Sequence, residues 1–166
     1  LTATTITGLS HLEGEAVQVV ADGIFVGEET VSSGQITISA AEAGAVIFAG
    51  LKFSSDLQIQ PIETGSQSGP TVSKPKRINR VGLSLYVSNA FKIGRDFDNL
   101  LTIPSRAPSQ LMNAPVPNFG ADLIEDIVRS VNGIWSKDAT VVVRQDFPVP
   151  LTLAAMTMYM EVSNGF

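Results

Sequence analysis

Cysteine is absent from this chain, which rules out disulfides, thiolate metal sites and a cysteine nucleophile. Charge is scarce as well. Asp, Glu, Lys and Arg make up 16% of residues, against about 25% in an ordinary soluble domain. A surface so poor in charge is either covered in part by partners or carries Thr, Ser, Asn and Gln on exposed strand faces. Histidine occurs once, at His11, so any His-rich metal site or Ser-His-Asp relay would hang on a single side chain. No Gly-x-Ser-x-Gly elbow, Walker loop or dinucleotide fingerprint is present. Aromatics are 7% of the chain and scattered. No apolar run approaches the ~18–20 residues of a membrane-spanning helix, and the opening LTATTITG has neither the basic nor the apolar region of a signal peptide.

What is there suffices for a sizeable core: 166 residues, 44% of them hydrophobic. The net charge of −5 disfavours non-specific binding to nucleic acid. That charge is unevenly placed. Residues 1–73 hold eight acids and one base, Lys52, whereas residues 74–166 hold ten bases and eight acids. The break falls at the basic run Lys74, Lys76, Arg77 and Arg80. Both ends, LTATTITG and EVSNGF, read as cut from a longer chain.

The first half reads as short strands divided by turns. Ala16–Ala21 ends at Asp22-Gly23, a dipeptide suited to a tight hairpin. Ile24–Val26 follows, and Ser32-Ser33-Gly34 marks another turn. Gln35–Ser39 alternates, with Ile36 and Ile38 on one face. Ala45–Ala49 is wholly apolar, as in a strand buried on both faces. Leu57–Ile62 alternates again. Strands at intervals of roughly 8–12 residues have the spacing of small sandwiches and barrels.

Residues 63–75 are rich in Gly, Ser and Pro and lack periodicity, so they are expected to be a linker or exposed loop. Beyond them, Arg77–Ser88 alternates. Ile78, Arg80, Gly82, Ser84, Tyr86 and Ser88 share one face, and Val81, Leu83, Leu85 and Val87 form the expected core face. Four prolines in 102–120 imply extended loop. Leu123–Val131 fits either a helix or a bent strand. Thr140–Val143 is a β-branched run, Gln145–Pro150 a corner, and Leu151–Val162 a long strand with Met156, Met158 and Met160 on one face. The expected fold class is mainly β: a small β domain over 1–62, a linker over 63–75, and a β-sandwich-like antiparallel domain over 76–166.

Several groupings invite chemistry, and each has a plainer reading. His11, Glu13 and Glu15 are spaced to share a strand face as an acid–base or metal cluster, but an exposed turn before the first strand is favoured. Asp96-Phe-Asp-Asn resembles the opening of a calcium loop without its later glycine and closing glutamate, so a turn is expected. Asp122, Glu125 and Asp126 resemble a glycosidase carboxylate set without sugar-binding aromatics nearby. Trp135 reads as a packing residue, and the Met stripe as core or subunit interface. No catalytic, cofactor-binding or metal residue is assigned. Lys74, Lys76, Arg77 and Arg80 are the candidate partner-contact residues, with a solvated loop or a subunit contact favoured over a DNA-facing role.

A series of short motifs runs in a fixed order along the chain. Gly8-Leu9-Ser10-His11-Leu12-Glu13-Gly14 precedes a strand ending in Ala21-Asp22-Gly23. Then come Gly34-Gln-Ile-Thr-Ile and an apolar strand closing on Gly50-Leu51. Later come Lys74-Pro-Lys-Arg-Ile-Asn-Arg-Val, Trp135-Ser-Lys-Asp-Ala and Gln145-Asp-Phe-Pro-Val-Pro. Together these motifs resemble the C-terminal region of the tail-tube (nozzle or hub) proteins of short-tailed bacteriophages and related prophages. The resemblance spans residues 8 to 162, and 89–131 matches poorly. It rests on order and spacing, since no single motif is specific.

The resemblance implies a virion component that is not an enzyme and needs no cofactor. It would form a ring around the DNA exit channel, hexameric in the full-length protein, and join portal or adaptor to the distal tail. Its expected partners are other copies of itself and neighbouring tail, portal and adaptor proteins. DNA would be met only in transit. The expected location is the phage tail, with the host cytoplasm before assembly. Acidic residues such as Glu13, Glu15 and Glu28 would then repel passing DNA. The competing reading is a carbohydrate- or receptor-binding β module of a tail spike, and a cell-wall hydrolase comes third.

Overall fold

The computed structural model describes residues 3–63, 65, 66, 69, 70, 74–104, 125–131 and 133–163. They are mainly β, in antiparallel sheets. The strands are β1 (Thr5–Thr7), β2 (Ala16–Ala21), β3 (Ile24–Thr30), β4 (Gln35–Thr37), β5 (Ile47–Leu51), β6 (Ser55–Gln58), β7 (Gly65–Ser66), β8 (Gly69–Pro70), β9 (Lys76–Leu85), β10 (Phe91–Gly94), β11 (Leu100–Ile103), β12 (Glu125–Ser130), β13 (Val142–Gln145) and β14 (Leu153–Val162). Ser10–Leu12 and Ala40–Glu42 are single 3-10 turns. Among the described residues no helix is long and apolar enough to cross a membrane.

The chain divides into two units, and the first is discontinuous: Leu1–Ser54 together with Asp146–Val149. Its sheet runs β3-β2-β5, and β1 pairs with β4. Asp22 (φ 50°) and Gly23 (φ 82°) make the expected tight turn between β2 and β3. Val17, Val19, Val31, Ile36 and Ile38 form the core, with Ile6, Leu12 and Ile47 packed on it. The other face of β2 is covered too. Gln18 Nε2 donates to the Asp146 carbonyl at 3.0 Å, and the Phe147 ring lies 5.4 Å from that of Phe25. The tetrapeptide Asp146–Val149 thus straps the sheet on the side away from the core.

β5 departs from its expected place. The apolar run 45–49 is not a strand buried on both faces, because β5 has β2 as its one described neighbour. Val46 and Phe48 are correspondingly exposed.

The second unit comprises Ser55–Gln145 and Pro150–Phe166. It has a four-stranded sheet, β11-β10-β13-β6, and a three-stranded sheet, β12-β9-β14. Its core draws Ile78, Val81, Leu83 and Leu85 from one sheet and Phe91, Ile93, Ile103 and Val143 from the other, which is the sandwich arrangement. Met156, Met158 and Met160 pack on that core, so the Met stripe faces inward.

Two expectations are corrected here. Ile78 does not share a face with Arg80. Arg80 pairs with Tyr159 and Ile78 with Met160, which leaves Asn79 as the extra residue of a β-bulge. The bulge reverses the alternation and brings Ile78 onto the face of Val81, Leu83 and Leu85. The core face also ends before Val87, which lies beyond β9 at φ 41°.

The expected boundary also shifts. Leu57, assigned by sequence to the 1–62 domain, lies in β6 and pairs with Val143 of the second unit's sheet. Asp56 stands opposite Arg144, and their ion pair is bidentate at 2.7 Å for both contacts. Within the expected linker, β7 and β8 pair with each other. The ambiguous segment is a strand over Glu125–Ser130, antiparallel to β9. Leu123 and Ile124 lie outside the described residues, as does most of the proline-rich 102–120.

Candidate functional site

β9 carries three of the four candidate contact residues, and the structure separates them. Lys76 does not belong to a surface patch: it is fully buried, and its Nζ donates to Glu63 Oε1 at 2.6 Å and to the Ile62 carbonyl at 2.9 Å. The backbone explains its inward direction. Lys76 N donates to the Ser136 carbonyl at 2.7 Å, and Ser136 N donates back at 2.9 Å. This bridge fixes Lys76 on the same face as Ile78, and the ammonium ties residues 62 and 63 to the sandwich. Lys74 precedes the strand and is half-buried.

Arg77 and Arg80 point the other way. Arg77 Nη2 donates to Glu161 Oε2 at 2.7 Å, and its guanidinium lies 5.1 Å from the centre of the Trp135 ring. Asn79 Nδ2 donates to the second Glu161 oxygen at 2.6 Å. Arg80 lies 5.2 Å from the centre of the Tyr159 ring. Tyr159 packs over Gly82, where a β-carbon would meet its ring edge at 3.8 Å. The outer face of β9 and β14 therefore carries two guanidinium–aromatic stacks, with Glu161 holding Arg77 and Asn79. Stacking of this kind leaves the charge available while covering the ring. Glu161 offsets Arg77, so the local excess of positive charge rests on Arg80. Trp135, expected to be a packing residue, is half-exposed beneath Arg77.

The sequence matches no protein-family model and no curated protein.

The other groupings act on the fold. His11 sits in the 3-10 turn Ser10–Leu12, not on a strand face beside Glu13 and Glu15. The Glu13 carboxylate accepts from Ser33 N at 2.8 Å and Gly34 N at 2.7 Å, which holds the β-bridged turn at 32–35. Glu28 accepts from Lys52 Nζ at 2.8 Å and from Gln18 Nε2 at 3.3 Å. The Lys52 bond, followed by the Gln18 bond, holds its carboxyl below the ordinary value. Asp96 accepts from Asn99 Nδ2 at 2.6 Å, Asp98 N at 3.0 Å and Arg95 Nε at 3.0 Å, which makes the 96–99 stretch a turn locked by its own first residue. Asn99 is the main cause of its lowered pKa. Asp122 lies outside the described residues, and Glu125 and Asp126 are on β12. Among the described residues no group of three or more His, Cys, Asp or Glu side chains is placed to hold a metal.

Sequence reasoning missed a second surface, on the first unit. Phe48, Leu51 and Phe53 are 66%, 56% and 51% exposed and wall a groove that Gln18 and Pro148 also line. One signal was present: Gln18 is the only polar residue in Ala16–Ala21.

Proposed function

We propose that the chain is a structural segment of a short-tailed phage tail, part of a ring of like copies around the DNA exit channel. The observation that carries this reading is that the residues of its ordered motif are spent on the fold. Gly8 and Gly14 adopt φ values of 88° and 81°, which glycine alone adopts readily. Glu13 braces the turn at Ser33 and Gly34, and Asp22 accepts from Ala45 N and Val46 N at 2.8 to 3.1 Å. A motif whose polar groups are consumed in turns is the signature of a scaffold. The charge-poor surface and the exposed Arg77–Trp135 and Arg80–Tyr159 stacks support contacts with protein neighbours. Arg and aromatic side chains are enriched where proteins meet.

Peptide mass spectrometry of gradient-purified phage particles from the source strain tests the proposal. Peptides of this chain at tail-level abundance, within a larger protein, are the expected result. Their absence from intact particles overturns it, and binding on a glycan array would then favour a receptor-binding module.

A further inference from the structure

The strap Asp146–Val149 continues at both ends into residues of the second unit. Before it, Gln145 pairs with Ser55 of β6; after it, the Pro150 carbonyl accepts from Asn89 N at 2.9 Å. Between those anchors the strap lies on the face of the β3-β2-β5 sheet and is not one of its strands. Pro148 and Pro150 fix two φ angles, so a strap lifted off the sheet keeps much of its shape and reseats at small entropic cost.

The seat sets opposing forces against each other. Gln18 is 3% exposed. Its Nε2 donates to the Asp146 carbonyl and to Glu28 Oε1, both of them acceptors only, so the amide orientation is fixed. Oε1 is left buried with no hydrogen-bond partner. Keeping an acceptor from water without giving it a donor opposes closure. The Phe25–Phe147 contact and the burial of Val149 favour it. Charge favours it too. Lys52 Nζ donates to Glu28 Oε1 at 2.8 Å, the same oxygen that Gln18 meets. The Lys52 pKa is raised, first by the hydrogen bond and charge of Glu28 and then by the charge of Asp146 on the strap. No other Lys or Arg occurs in residues 1–73.

We propose that Asp146–Val149 is a latch that opens from the first unit while both units stay folded, with Lys52 as the charge that holds it shut. Its ammonium attracts one carboxylate of the sheet, Glu28, and one of the strap, Asp146, so weakening this single charge loosens the seat. Opening lets water reach Gln18 Oε1 and uncovers Phe25. Gln18 and Pro148 also line the groove walled by Phe48, Leu51 and Phe53, so lifting the strap opens that groove on its Pro148 side. Openings of this kind lie between fraying and global unfolding in free energy. This inference does not depend on the tail reading.

The chain has no cysteine, so one introduced thiol reports on its own site. Val149→Cys puts it at a buried position on the strap, and Val19→Cys puts it in the core, where only global unfolding exposes it. Under native conditions a thiol reagent should modify position 149 of the full chain at least about tenfold faster than position 19. Adding Lys52→Gln should speed position 149 by about two- to fivefold, the range for an exposed ion pair. Raising salt from about 0.01 M to about 1 M, which shortens the screening length from about 30 Å to about 3 Å, should act in the same direction. Equal rates at the two positions overturn the latch, and a rate at 149 unmoved by Lys52→Gln or by salt overturns the role of Lys52. If Val149→Cys does not fold, exchange of the Gln18 side-chain N–H against the Val19 amide in the native chain and in Lys52→Gln decides both points.

Discussion

Phe147 packs its ring against Phe25 at 5.4 Å and a tilt of 56°, although Phe25 lies on β3 and Phe147 follows β13. Tilted pairs of this separation contribute roughly 0.5–1.5 kcal/mol beyond the area they bury. Phe147→Ala should therefore lower stability by about 2 kcal/mol, less than the roughly 3–5 kcal/mol for a ring in a core, because Phe147 is half-buried. Hydrogen exchange should locate the loss in β2 and β3. A uniform rise in exchange over both units would count against the strap.

Lys76 and Glu63 make an unequal pair, the lysine side chain fully buried and the glutamate 44% exposed. Removing Glu63 strands a buried ammonium, whereas replacing the lysine with an apolar chain of similar length strands only a hydrated carboxylate. Glu63→Ala should cost about 3 kcal/mol, and Lys76→Met should stay within about 1 kcal/mol of the native chain. Urea unfolding of the two variants measures both. The reverse order would show that the ammonium is not the group at risk.

Gly133 and Gly94 leave no room for a side chain. A β-carbon on Gly133 would collide with the Ile78 carbonyl, and one on Gly94 with the Asn99 carbonyl, both of them backbone atoms. Gly133→Ala and Gly94→Ala should each cost about 2 kcal/mol or more, while Gly50→Ala should change stability by no more than about 0.5 kcal/mol. Thermal unfolding of the three variants gives the comparison.

Acid should loosen particular joints. The Arg144 hydrogen bond lowers the pKa of Asp56 below its ordinary 3.8, and backbone bonds from Val46 and then Ala45 do the same for Asp22. A carboxyl with a depressed folded pKa contributes stability above its unfolded pKa. That contribution fades as pH falls from about 4 through the lower folded value. Relative to the intrinsic exchange rate at each pH, amide protection at residues 55–58 and 45–46 should therefore fall below pH ~4, and Asp56→Asn should remove the change at 55–58. Unchanged protection in the native chain at pH 3 would mean that these bonds do not bear on stability.

Local chemistry in the sequence was a reliable guide, and long-range pairing was not. Asp22-Gly23 and Ser32-Ser33-Gly34 announced turns because left-handed backbone restricts residue choice. Val81, Leu83 and Leu85 announced a core because alternation maps directly onto strand faces, while the Met stripe, which fitted either core or subunit interface, packs on that core. The bulge at Asn79 left no local mark, so the face of Ile78 was misread. Lys76 looked like surface charge because its partner Glu63 sits across what read as a linker. Leu57 looked like part of the first domain because nothing in its own neighbourhood names Val143 as its partner. The groove at Phe48 and Phe53 was hidden by assigning β5 to an interior it does not occupy.

The tetrapeptide that straps β2 has a consequence for the order of events during synthesis. Domains made first ordinarily finish folding first. Here residues 3–54 leave the ribosome ahead of all of residues 55–145, and Asp146–Val149 follow only after them. The unit that begins first on the ribosome is the one that must wait, with the Gln18 side of its sheet uncovered, until the strap arrives.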